Sequence, residues 1–359
     1  MFKKMLFGVA VGVSVLSAHV PLEQKIGQML MVGFHGTSAK PGSQICNDIR
    51  QYNLGAVILF DYNPVDKSKP KNIASKAQVA RLTKELQACS RDGKLLIAVD
   101  QEGGRVQRLK SRYGFYGKFP KAADVVKSGN MKQTYTKMAK ELKSVGINYD
   151  LAPVVDLDIN PKNHVIHGLG RSFGKDPETV EKYASIFIDA MHRYGVLTSL
   201  KHFPGHGSSV GDTHKGFVDV THLWKPVELE PYRLLKNKAD TVMVAHVFNK
   251  KLDANYPATL SRKTVEGLLR KKIGFQGVVV TDDLQMGAIS QKYALKKTLE
   301  LAINAGDDIL LFGNQLDPRK VVSTKRLVQT IERLIREGKV SKTRIDASYT
   351  RIQKLKTRL

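Results

Sequence analysis

The chain has 359 residues, 42% of them hydrophobic, which is enough for one large barrel-type domain or two ordinary ones. Its 58 Lys and Arg against 33 Asp and Glu leave a formal charge of +25 and favour anionic surroundings. The basic residues are nevertheless scattered, with no basic block interleaved with aromatics, which argues against a nucleic-acid binder.

The first residues, Met1-Phe2-Lys3-Lys4, are basic, an apolar run extends from Met5 to Leu16, and the small pair Ser17-Ala18 follows. That order reads as a secretory signal peptide over residues 1–18, leaving residues 19–359 as the mature protein in the periplasm or outside the cell. The run is short for a bilayer span, and no later stretch is apolar enough for one. No cysteine lies near the cleavage point, so no lipid anchor is expected. Export exposes Cys46 and Cys89 to oxidising conditions, and the sequence leaves a bridge and two buried thiols both open.

Eight short apolar runs follow: Met29–Phe34, Ala56–Phe60, Leu95–Val99, Asn148–Val155, Val196–Leu200, Thr241–Ala245, Gly277–Val280 and Asp308–Phe312. Most are rich in Val, Ile or Leu without polar alternation, the composition of parallel strands buried on both faces. Amphipathic stretches at helical spacing separate them: Lys76–Cys89, Gln133–Val145, Pro177–Tyr194, Thr264–Lys272, Lys292–Ala305 and Lys320–Arg336, with Lys342–Leu359 last. Asp176 before Pro177 marks one helix start, and Ser261 caps another. Strand and helix alternating eight times predict an α/β fold, a (β/α)8 barrel in a single domain, with a doubly wound open sheet as the alternative. The ends of the runs favour the barrel. Each is followed by a polar group: His35, Asp61, Asp100-Gln101-Glu102, Asp156 with Asp158, Lys201-His202, His246, Asp282-Asp283 and Asn314. A barrel gathers all eight C-terminal strand ends on one face, where such enzymes keep their active site.

Three of these ends carry chemistry. Lys201 to His214 packs three histidines, an aspartate and a lysine among Gly, Ser and Pro. The histidines lack His-x-His or HExxH spacing, so a metal site is not expected. Asp212, two residues before His214, can orient its imidazole and stabilise the charged form. Asp282 follows the most strand-like run of the chain; alternation along a strand predicts that only one of Asp282 and Asp283 faces the site, the other serving as a cap. Asp100 to Arg108 brings acid and arginine beside two glycines, suited to hydroxyls. Acids, an arginine, a lysine and histidines around one barrel mouth suit a sugar, and retaining glycoside hydrolysis needs a carboxylate nucleophile with a second group that protonates the leaving oxygen.

Lys201-His202-Phe203-Pro204-Gly205-His206-Gly207 with Asp212-Thr213-His214, Asp100 to Arg108, Gly170-Arg171-Ser172-Phe173-Gly174, Val244-Ala245-His246-Val247, Tyr256-Pro257-Ala258-Thr259-Leu260-Ser261 and Val280-Thr281-Asp282-Asp283-Leu284-Gln285-Met286 resemble, in order, the motifs of family 3 glycoside hydrolases. The likeness is to their single-barrel β-N-acetylglucosaminidase branch. It implies that Asp282 is the nucleophile, His214 the acid/base and Asp212 its partner. It implies that Asp100, Arg108, Arg171, Lys201 and His202 hold the N-acetylglucosamine hydroxyls. It implies no metal and no organic cofactor, a monomer, and peptidoglycan-derived N-acetylglucosaminyl saccharides as partners. Two departures stand out: the segment Val165 to Gly170 before Arg171 is longer than the family form, and Thr213 replaces a usual Ser. A phosphorylase using phosphate as acceptor, and a catalytically dead wall-binding barrel, are the alternative readings.

Overall fold

The computed structural model describes residues 20–359; the segment read as a signal peptide lies outside the described residues. The apolar runs form eight short strands, almost wholly buried: β1 Leu30–Gly33, β2 Ala56–Ile58, β3 Leu96–Val99, β4 Tyr149–Asp150, β5 Leu197–Phe203, β6 Thr241–Val244, β7 Val278–Thr281 and β8 Leu310–Phe312. Each pairs in parallel with its neighbour in sequence, from Met31 opposite Ala56 round to Val242 opposite Val279. β8 returns to β1, with Leu30 opposite Leu310. A bridge between Val280 and Ile309 joins β7 to β8 and closes the ring. The sheet is therefore a barrel, as the polar strand ends predicted. β4 keeps only two residues of the apolar run 148–155, because Pro153 has no amide hydrogen for the ladder.

The helices are α1 Leu22–Gln28, α2 Gln44–Tyr52, α3 Lys76–Cys89, α4 Ala122–Ser128, α5 Met131–Ser144, α6 Pro177–Arg193, α7 Glu230–Leu235, α8 Gly287–Ser290, α9 Leu295–Ala305, α10 Thr324–Arg336 and α11 Lys342–Lys356. Lys263–Ile273 winds as a π-helix. Asp176 accepts the Thr179 amide at 2.9 Å, and the Ser261 hydroxyl accepts that of Thr264 at 3.1 Å, as their cap positions required. Two helices begin later than their periodicity suggested. α10 starts at Thr324, where the Ser323 hydroxyl accepts the Arg326 amide, and α9 starts at Leu295, after a turn through residues 292–294. The helices lay apolar stripes on the barrel; α10 buries Leu327, Val328, Ile331 and Leu334, each worth about 2 kcal/mol.

A disulfide joins Cys46 on α2 to Cys89 at the end of α3, with Cα atoms 5.3 Å apart. At the N-terminal ends of the strands Asp240 accepts hydrogen bonds from the Thr198 amide, the Thr198 hydroxyl and the Arg358 guanidinium. Lys356 there donates to Gln28, just before β1. No described helix is long and apolar enough to cross a membrane.

Candidate active site

The opposite ends of the strands open into a cleft of about 570 Å³. Asp100, Arg108, Arg171, Lys201, His202, Asp212, His214 and Asp282 all line it. Other polar strand ends turn elsewhere. His35 is exposed outside the cleft, and buried Asp61 pairs with Lys110 at 2.6 Å. Asn314 binds the Gly33 carbonyl and the Val322 amide, tying loops together.

One wall is a buried ion network. Lys201 Nζ lies 2.9 Å from Asp100 Oδ1 and 2.7 Å from Glu102 Oε1. Arg171 grips Glu102 through two 2.8 Å hydrogen bonds, and Arg108 stands 3.6 Å from Asp100. A tight hairpin delivers the acids. Gly103 and Gly104 adopt φ of 96° and 57°, and the Gln101 side chain accepts the Arg108 and Leu109 amides. Burial pushes the Glu102 carboxyl up, but Arg171 and Lys201 outweigh it and hold it far below the usual range. Burial likewise opposes charge on Lys201, yet Asp100 and Glu102 raise its pKa. The network thus keeps Lys201 charged beside the cleft in spite of its burial. Sequence reasoning gave Glu102 no role. Its signal was its place two residues after Asp100, the same-face spacing of an extended chain.

His202 is oriented from behind: Asp156 Oδ2 lies 2.7 Å from Nδ1, and Nε2 lies 3.4 Å from Arg171. Asp156 also accepts the His206 amide at 2.8 Å. Burial pushes the His206 imidazole down to about 4, so this ring stays neutral beside the Ser209 hydroxyl. Asp156 ends an apolar run, but sequence alone did not give it this second-rank task.

β7 stops at Thr281, so strand alternation no longer governs the next two residues. Both Asp282 and Asp283 line the cleft, and Asp283 accepts the Gln285 amide at 3.0 Å in a turn rather than capping a helix. Burial raises the Asp282 carboxyl, but the rings of His246, His202 and His214, with the Asp283 amide, bring it to about 2. Burial instead carries Asp283 up to about 6, with neighbouring Asp282 adding to it. Buried His246 lies alongside, its Nε2 2.9 Å from the Asp283 carbonyl oxygen and its Nδ1 2.8 Å from the Thr259 hydroxyl. The residues around Thr259 therefore matter as a brace for this ring. Lys71, drawn down to about 7 by burial, donates to the carbonyls of Gly313 and Asn314 next door.

His214 reaches the cleft from the long loop after β5. Its Nδ1 lies 2.9 Å from Asp212 Oδ1, and its side chain is 56% exposed. Asn163 and Asn160 hold the base of the loop by donating to the carbonyls of His206, Gly207 and Ser208. Among the described residues no three His, Cys, Asp or Glu side chains group closely enough to share a metal ion. The arrangement sets an ionised carboxylate, an imidazole paired with Asp212 and a wall of charged groups around one ligand-sized space.

Comparison with known proteins agrees with the barrel fold. The profile of the glycosyl hydrolase family 3 N terminal domain matches residues 21–355. Beta-hexosaminidase A of Pseudoalteromonas piscicida is 34% identical over 96% of this chain, and this chain spans 62% of that enzyme's length. Beta-hexosaminidase LpqI of Mycobacterium tuberculosis is 36% identical over 73% of this chain and 68% of its own. Among solved structures, a family 3 beta-N-acetylglucosaminidase from Paenibacillus superposes with a TM-score of 0.83 at 34% identity, covering 94% of this chain and 62% of that one. A beta-N-acetylhexosaminidase from Beutenbergia cavernae superposes with a TM-score of 0.81 at 29% identity, covering 95% and 99%. By sequence, barrel and extent of match, the chain belongs to glycosyl hydrolase family 3.

Proposed function

We propose that the chain is a retaining exo-β-N-acetylglucosaminidase that releases terminal N-acetylglucosamine from peptidoglycan fragments. The observation that carries this reading is one cleft holding both a carboxylate depressed to about 2, Asp282, and the His214–Asp212 pair. Asp282 attacks the anomeric carbon while His214 gives its proton to the departing oxygen, and Asp212 steadies the imidazole through both states. Water then enters; as His214 takes its proton, the water oxygen bonds to C1, the glycosyl–Asp282 bond breaks and the carboxylate is restored. Asp100, Arg108, Arg171, Lys201 and His202 bind the sugar hydroxyls. The two beta-hexosaminidases named above support hexosaminide cleavage. The leader-like residues 1–18 and the charge of +25, all but two units of it outside that leader, support work beside an anionic wall polymer.

Asp282→Ala and His214→Ala should each remove release of 4-nitrophenol from its β-N-acetylglucosaminide, with an unchanged circular dichroism spectrum. An active Asp282→Ala enzyme refutes the assignment. Added phosphate should neither speed turnover nor yield a sugar 1-phosphate; that product would make the enzyme a phosphorylase. Mass spectrometry of digested muropeptides should show loss of terminal N-acetylglucosamine.

A further inference from the structure

The loop bearing His214 leans on the segment that follows Asp282. The Gly287 amide donates to the His214 carbonyl at 3.2 Å, and the Ala288 amide to the Thr213 carbonyl at 3.1 Å. Gln291 adds a 3.1 Å hydrogen bond to the Lys215 carbonyl, and Lys292 Nζ sits 3.2 Å from the centre of the Phe217 ring. Backbone hydrogen bonds thus join the two reactive arms of the cleft directly.

That join needs a residue without a side chain. A Cβ on Gly287 would stand 2.9 Å from the His214 carbonyl oxygen and 2.9 Å from the Lys215 carbonyl carbon. It would also meet the Gln291 amide nitrogen at 2.8 Å, but that side-chain end can swing away, whereas the other two atoms are main chain. Gly287 lies in the short helix α8 and not in the left-handed region, so no torsion requires glycine here. Closeness does.

We propose that Gly287 is a positioning residue for proton transfer: its bare Cα sets the distance between the His214 imidazole and the Asp282 carboxylate. This rests on the reading of His214 as the proton donor. As the bond from C1 to the leaving oxygen breaks, Asp282 forms its bond to C1 and the His214 proton passes to that oxygen. A loop pushed outward by one methyl group delivers the proton poorly while leaving Asp282 in place. The loss therefore depends on how much the leaving group needs a proton.

The test compares kcat/KM, which reports the steps up to the glycosyl-enzyme, for 4-methoxyphenyl and 2,4-dinitrophenyl β-N-acetylglucosaminides. Gly287→Ala should lose about a hundredfold on the methoxyphenyl substrate and less than about threefold on the dinitrophenyl one, whose leaving group departs unaided. Equal losses on both substrates, or no loss, overturn the proposal. Gln291→Ala combined with Lys292→Ala loosens the same contact without touching Gly287. It should show the same selectivity at smaller size even if Gly287→Ala fails to fold, and an unselective result again overturns the proposal. His214→Ala serves as the reference: full activity there sinks the reading of His214, while a selective loss there with none in Gly287→Ala sinks only the role of Gly287.

Discussion

Two adjacent aspartates show how far position alone can separate identical side chains. Asp282 is held at about 2 among imidazoles, whereas Asp283, one residue on, is carried to about 6 by burial and by its neighbour's charge. The first is an anion at any pH the enzyme meets; the second is not committed. Glu102 is the opposite extreme of the same physics, since Arg171 and Lys201 overcome its burial. Its folded pKa lies below the unfolded value of 4.5, so the native state binds fewer protons and gains stability above that pH. Glu102→Gln should cost about 3 kcal/mol in urea unfolding at pH 7, because it strands buried cations. The gap to the wild type should shrink as the pH falls below about 4.5. The KM should also rise, since Arg171 loses the fork that aims it.

At the level of elements, β5 does most to assemble the site. It is the longest strand, Leu197–Phe203, and its end presents Lys201 and His202 before releasing the His214 loop. The α2–α3 disulfide holds the outer layer, and neither cysteine lines the cleft. Closing 43 residues of chain is worth about 4 kcal/mol by loop entropy. Cys46→Ser with Cys89→Ser should therefore unfold earlier in urea, with kcat/KM little changed at 25 °C. Much of this was legible beforehand because it follows from local pattern. Buried parallel strands must be apolar on both faces, so most of the eight showed as runs rich in Val, Ile and Leu. Asp176 and Ser261 announced their helices through side-chain chemistry that acts three residues away. What could not be read depends on distances through space. The pairing of Cys46 with Cys89, the grip of Glu102 on Arg171 and the approach of Gly287 to His214 each join segments far apart in sequence or past the end of regular structure. Asp283 escapes strand alternation for that last reason, since β7 ends at Thr281.

At the level of the whole molecule, the excess of Lys and Arg is scattered along the chain instead of gathered in the cleft, where Asp100 and Glu102 balance Lys201 and Arg171. On the proposed function, long-range attraction and local recognition are thus separate. Pelleting with purified peptidoglycan sacculi should be strong in about 50 mM NaCl and weak in about 300 mM, as screening shortens the reach of exposed charge. Turnover of a small neutral glucosaminide should hardly respond over the same range. Binding that ignores salt would remove the electrostatic part of the wall-polymer reading.

Arg358 and Lys356 anchor the last turn of the chain to Asp240 and Gln28 beneath the barrel, on the side away from the cleft. A bead or surface coupled at exposed Lys354 of α11 would therefore hold the protein by its floor. The mouth would face outward, free to meet a substrate too large to diffuse.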